Sequence, residues 1–246
     1  MKKTKIITAI IFGVAFVGGL WIAGHYLYKA KGQPKTVSVV GMAERDFDSD
    51  LIVWDISFDV LNYDIKSGYA ELKDVTKEIK KYLIEQGITE NEMDFRAVTN
   101  YKETEYEYNN ETHTSRDIFK GYRLTQRVRI ESGNVEKIEK VQRQISELLD
   151  RGINIEDNGM SYYYTKLADL KVEMLAEATE NARNRAETIA KNAGSRLGGL
   201  KVANMGVFQI TAPNSTDEDY SWGGAFNTSS KKKRVSINMR LTYYVK

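Results

Sequence analysis

The chain has 246 residues, with 36 Lys and Arg against 34 Asp and Glu, for a formal net charge of +2. That near-balance argues against a dedicated nucleic-acid binder, which carries a basic excess or stripe. The absence of cysteine excludes disulfides, thiol catalysis, cysteine metal sites and an acylated-cysteine anchor, and two histidines, His25 and His113, cannot build a histidine cluster for zinc or iron within one chain. Hydrophobic residues at 41% and charged residues at 28% suit a folded chain.

Lys2, Lys3 and Lys5 precede a run from Ile6 to Leu27 that holds no Asp, Glu, Lys or Arg. A helix of about 20 apolar residues spans a bilayer, and leading lysines favour an N-terminus left in the cytoplasm. Residues 1–35 are therefore expected to form a membrane anchor and linker, contacting the lipid bilayer through residues 6–27. The competing reading is a cleaved signal peptide, whose apolar stretch is shorter, about 7–15 residues, and ends in an A-x-A-like site. Ile22 with Gly24, and Ala30 with Gly32, fit that site poorly. Either way the rest of the chain is exported. His25 stands beside Trp21, Tyr26 and Tyr28 and reads as part of an interfacial aromatic belt rather than a proton relay.

Thr36–Val40 is a short β-type run ending at Gly41. Leu51–Leu61 alternates Trp54, Ile56, Phe58 and Val60 with Val53, Asp55, Ser57 and Asp59, the pattern of a half-buried strand. Leu72, Val75, Ile79, Tyr82 and Leu83 recur at helical spacing before the stop at Gly87. A polar strand over 95–108, a turn-rich loop beginning at Asn109-Asn110, and a strand over 118–130 predict a long β-hairpin. A helix over 135–149 and a strand over 160–165 follow. The order is strand, helix, strand, strand, helix, strand, which predicts an α+β, ferredoxin-like split βαβ module over 50–165.

The longest helix is expected over 167–193. Leu170, Met174, Leu175, Ala178, Ala182, Ala186, Ile189, Ala190 and Ala193 form its stripe. Alanine favours the helix and allows close approach of a neighbour. A strand over 202–210, a loop over 211–230, and a strand carrying Val235, Ile237, Met239, Leu241, Tyr243 and Val245 complete the chain. Residues 36–49 with 166–246 are expected to form a second, smaller α/β module. The fold expected is thus two-layer α/β sandwich modules after a transmembrane helix.

Several segments resemble the SIMPL-domain family of bacterial envelope proteins. Val37-Ser38-Val39-Val40-Gly41 resembles its opening strand and glycine. Asp50 with the alternating run after it resembles its Pro-Asp-and-strand signature, although Ser49 stands where proline is usual and Ala43 where a second glycine is common. Ile118-Phe119-Lys120-Gly121-Tyr122 resembles its Gly-Tyr strand start. Ala176, Ala182, Ala186, Ala190, Gly194, Leu197 and Gly198 resemble its alanine-rich helix and glycine turn. The resemblance spans most of residues 36–246. It implies a two-part α/β fold and a periplasmic or surface setting, and some relatives form large rings proposed to act as channels or scaffolds. Together with the N-terminal apolar run, a single-pass inner-membrane protein is expected, with its bulk in the periplasm or outside the cytoplasm. The resemblance also carries a loose link to oxidative-stress tolerance. It transfers no catalytic residues.

No short motif of a hydrolase, zinc protease, P-loop or dinucleotide fold is present. Asp46, Asp48 and Asp50 open like a calcium loop, but Leu51 and Asn62 do not continue it, so a solvated turn is the better reading. Lys231-Lys232-Lys233-Arg234 could touch anionic lipid; a solvated strand entrance balanced by Asp217, Glu218 and Asp219 is preferred. Glu173 and Glu177 read as an exposed helix face. Tyr101, Tyr106 and Tyr108 on the hairpin, and the triplet Tyr162 to Tyr164, fit either an interface or plain strand propensity. No catalytic, metal or cofactor residue is nominated. The expected function is a non-enzymatic envelope protein that self-associates as a scaffold or channel-like homo-oligomer. The alternatives are a periplasmic module binding an unknown small-molecule ligand or a partner protein, and a hydrolase without a recognisable motif.

Overall fold

The computed structural model describes residues 2–30, 35–110, 113–214 and 223–246, with the backbone alone at residues 2–11, 27, 29, 30 and 109. The protein is α+β, with two antiparallel sheets. It parts into two compact units. The first comprises residues 1–42, 178–206 and 238–246, and the second comprises 43–177 and 207–237. The second unit contains all of 50–165. It also takes 43–49, 166–177 and 207–237, which the hydropathy pattern assigned to the other module. The strand β1 (Thr36–Asp48), the helix α5 (Leu167–Asn192) and the strand β9 (Lys232–Val245) each give one part to each unit, so the boundaries fall inside regular elements that no composition shift marks.

In the second unit, β2 (Leu51–Asn62) buries Ile52, Trp54, Ile56, Phe58 and Val60. Alternation puts these on one face of the strand. Helix α2 (Ile65–Glu85) starts where Asp64 accepts a hydrogen bond from Ser67 N at 2.8 Å, an N-cap, and buries Leu72, Ile79, Tyr82 and Leu83. Strands β3 (Met93–Phe95), β4 (Thr99–Asn109), β5 (Thr114–Ser132) and β6 (Ile155–Tyr163) complete the sheet. Its order is β3–β5–β2–β6, with β4 also on β5, and these pairings are antiparallel. β5 thus lies between β2 and β3, the split βαβ order. Helix α3 (Val135–Gln144) buries Val135, Ile138 and Val141 in the same core.

The expected helix over 135–149 is broken. It ends at Gln144, and α4 (Glu147–Asp150) resumes after tighter turns in which Ile145 N bonds Gln142 O and Leu148 N bonds Ile145 O. The expected strand over 160–165 starts earlier, at Ile155, because a register shift opposite Trp54 and Ile56 absorbs the turn-like residues before Met160. The expected strand over 95–108 is broken into β3 and β4, and toward the tip the hairpin strands reach further than expected. β4 runs to Asn109 and β5 begins at Thr114, in a stretch polar on both faces that hydrophobic alternation cannot detect.

In the first unit the sheet order is β1–β9–β7, where β7 is Leu197–Met205. β1 does not stop at Gly41 as expected but continues to Asp48. Ala178, Ala182, Ala186 and Ala190 are buried, whereas Ile189 and Ala193, placed in the stripe from sequence, are exposed. The buried line repeats strictly every fourth residue and is narrower than the apolar pattern. A Cβ at Gly41 would lie 2.2 Å from Ala178 O and 2.6 Å from the Ala182 methyl, so helix and strand touch backbone to backbone there. The expected strand over 202–210 divides into β7 and, in the second unit, β8 (Gln209–Thr211) on β9.

Helix α1 (Lys2–Ala30) is continuous. Phe12, Phe16, Leu20 and Trp21 are exposed along it, and the Trp21 and His25 rings stack at 5.9 Å. Among the described residues no helix is long and apolar enough to cross a membrane. The charge-free run begins at Ile6, so part of it lies outside the residues whose side chains are described.

Candidate functional site

The hairpin β4–β5 stands out in the second unit because its two faces differ in chemistry. Register pairs Glu103 with Gly121 and then Thr104 with Phe119, leaving Lys120 as the extra residue of a β-bulge. Gly121 sits there at φ +144°, and a Cβ on it would lie 2.9 Å from Asn62 O. A side chain at Gly121 is therefore barred both by conformation and by β2.

One face is a ladder of ion pairs. Arg123 binds Glu103, with Nη2 to Oε1 at 2.7 Å, and also contacts Asp59. Lys120 pairs with Glu105, and Arg116 Nε donates to Glu107 at 2.6 Å. The hydrogen bonds that Arg123 donates to Glu103 hold its guanidinium above its ordinary pKa, and Arg123 in turn lowers that of Glu103. Tyr101 shares this face by strand parity.

The other face is aromatic. Thr104, Tyr106 and Tyr108 of β4 stand opposite Phe119, Asp117 and Ser115. Phe119 meets Tyr122 edge-on at 5.3 Å and Tyr63 at 6.1 Å. Tyr63 is 70% exposed and Tyr106 66%. At the end of this surface a hollow of ≈ 530 Å³ is lined by Leu61, Tyr63, Glu103, Thr104, Glu105 and Lys120. Near the tip His113 lies at φ +51°, with Nδ1 3.2 Å from the Tyr108 hydroxyl.

The structure divides the tyrosines grouped from sequence. Tyr106 and Tyr108 share the aromatic face, while Tyr101, at odd parity, does not. Tyr162 is buried in the core and donates to Glu139 at 3.1 Å, and burial with that carboxylate pushes its phenol up to about 12. Tyr164 packs on Phe47 at 4.8 Å. Sequence reasoning missed Tyr63, Phe119 and Leu61 as members of the aromatic surface. The Phe119-Lys120-Gly121 bulge is what turns Phe119 to the Tyr63 side, and a glycine inside a strand pattern is the signal that points to such a bulge.

The other singled-out residues serve the fold. Arg234 Nε donates to Asp46 at 2.5 Å and pairs with Glu44 at 3.1 Å, and Asp50 accepts from Thr165 N and Oγ1, each at 2.7 Å. The basic run is not a solvated entrance. Lys231 pairs with Glu139 at 3.2 Å, and Lys233 is 1% exposed with Nζ on Asn227 O at 2.6 Å and Ser230 O at 2.8 Å. Asp217, Glu218 and Asp219, its expected balance, lie outside the described residues. Glu173 and Glu177 both hold Arg45 of β1, the former at 2.5 Å.

A family model, SIMPL, described as a protein of unknown function (DUF541), matches residues 37–243. No curated protein matches the chain.

Proposed function

We propose that this chain, which belongs to the SIMPL family, is a non-enzymatic envelope protein that self-associates through the aromatic face of its hairpin. In this reading residues 6–27 tether it to the inner membrane with the bulk in the periplasm. There it acts as a scaffold or channel-like homo-oligomer that supports stress tolerance. The observation that carries the reading is the exposed row Tyr106, Tyr108, Phe119 and Tyr63 on a strand pair projecting at the sheet edge. Aromatic side chains bring large contact area at low entropic cost and concentrate at interfaces. The tether rests on the charge-free run and on the exposed apolar residues among the described side chains of α1, Phe12 to Tyr28, a distribution that fits lipid better than water.

The test is the mass of the full chain in detergent by light scattering, for the wild type and for Tyr106→Ser/Phe119→Ser. A discrete oligomer that falls apart in the variant supports the reading; a wild-type monomer sinks it.

A second reading is supported by the hollow beside Tyr63, whose ring and flanking Glu105 and Lys120 suit a polar ligand with an apolar face. Thermal shifts with soluble envelope glycans and peptides, absent in Tyr63→Ser, would favour it.

A further inference from the structure

We propose that the outer edge of β1 over Thr36–Met42 is a strand-addition surface for the same edge of a second copy of this chain, held closed by Asn181 and Arg185. β1 ends the order β1–β9–β7, so its outer side has no strand partner among the described residues. Lys35 O accepts from Val245 N at 2.8 Å, which turns odd-numbered backbone groups toward β9. Alternation then turns those of Thr36, Ser38, Val40 and Met42 outward.

Two of these outward groups are met by side chains of α5. Arg185 Nη1 donates to Val40 O at 2.8 Å, and Asn181 Oδ1 accepts from Met42 N at 3.3 Å. An antiparallel neighbour would present an N–H to Val40 and a carbonyl to Met42, and the guanidinium and the amide stand in for both. The spacing suits the substitution. Four residues of helix rise about 6 Å, and two residues of strand advance about 6.8 Å. A groove of ≈ 580 Å³ runs beside this edge, lined by Ser38, Val39 and Val40 with Asn184, Thr188 and Ile189.

The edge itself selects the occupant. Thr36 to Ala43 holds no charge and is rich in β-branched residues. Two-fold antiparallel pairing about Val39 sets Ser38 opposite Val40 and Thr36 opposite Met42, with no like charges facing. The same operation on β4 sets Glu103, Glu105 and Glu107 against themselves, and further along β1 it would do so with Glu44, Asp46 and Asp48. Edges are ordinarily blunted by charge; where β1 lacks charge, α5 side chains cover it instead.

The test uses the full chain in detergent and sedimentation equilibrium. Asn181→Ala/Arg185→Ala should tighten self-association about tenfold or more, since two hydrogen bonds need no longer be displaced. Adding Met42→Pro removes the outward N–H without touching bonds to β9, and should return association to the wild-type level. Tyr106→Ser/Phe119→Ser in the same background should leave the gain intact, which separates this surface from the hairpin. Unchanged association in the double variant, or a gain that survives Met42→Pro, overturns the proposal. So does a double variant that stays monomeric yet binds an added uncharged extended peptide. If circular dichroism shows the double variant unfolded, Arg185→Gln alone carries the same expectation at smaller size.

Discussion

The indole Nε1 of Trp54, a side chain with no exposed surface, donates to Asp157 Oδ1 at 2.8 Å. Asp157 also accepts from Gln142 Nε2 at 2.6 Å and from Gly159 N at 2.9 Å. One carboxylate thereby joins the central strand, a helix and the irregular start of β6. Burial works to raise its pKa, and the hydrogen bonds from Gln142, Trp54 and Gly159 outweigh it and hold the carboxyl below its usual range.

Asp157→Ala leaves the Trp54 N–H without its acceptor inside the core. An unsatisfied buried donor costs about 1–3 kcal/mol. Asp157→Asn keeps an acceptor oxygen and should cost less. Urea denaturation of both variants checks the order; equal losses would show that the indole bond contributes little.

Glu92 governs part of the acid limb. Burial acts to raise its pKa, but hydrogen bonds from Ser132, Thr89 and Lys137 prevail and hold the carboxyl at about 2, against an ordinary 4.5. A lowered folded-state pKa stabilises above the unfolded value, and that stability is lost as pH falls from 4.5 toward about 2. Glu92→Gln should therefore lower stability at pH 7 by on the order of 2 kcal/mol and flatten the dependence across that acid window. Thermal melts from pH 7 to pH 2 read both effects. A variant with the wild-type acid slope would remove Glu92 from the account.

Gly121→Ala meets two obstacles, φ +144° and a methyl 2.9 Å from Asn62 O. The expected loss exceeds about 1 kcal/mol. Hydrogen exchange at Lys120 and Tyr122 should also quicken as the bulge loosens, while exchange in α3 stays unchanged.

Gly41→Ala would place a methyl 2.2 Å from Ala178 O, a backbone atom that no rotamer change can move. Overpacking of this kind costs about 1–3 kcal/mol, and more where backbone must shift. Ala182→Gly should partly restore the Gly41→Ala variant if the clash with the Ala182 methyl contributes. A melting temperature equal to that of the wild type would mean that helix and strand separate readily.

Much of the α+β order was legible because it follows from short-range periodicity. The alternation in β2 and β9 and the helical spacing in α2 repeat over neighbours that sequence lists directly. The alanine stripe of α5 was legible too, though its flanks at Ile189 and Ala193 were read as buried. The candidate site was legible only in outline. A tyrosine-bearing hairpin was expected, but not its division into a charged and an aromatic face, since the Lys120 bulge that shifts β5 depends on Gly121 passing Asn62.

What the sequence determined by itself is the order of the main helices and strands and the family, because propensity, alternation and short motifs are local. What the tertiary structure alone decided is which side chains meet. Lys233 is buried on Asn227 and Ser230 rather than solvated, Arg234 binds Glu44 and Asp46, and Asn181 and Arg185 reach the edge of β1. The pairings of Arg234, Asn181 and Arg185 join residues far apart in the chain. They are set by strand register and by the close seating of α5 on Gly41, neither of which any local pattern encodes.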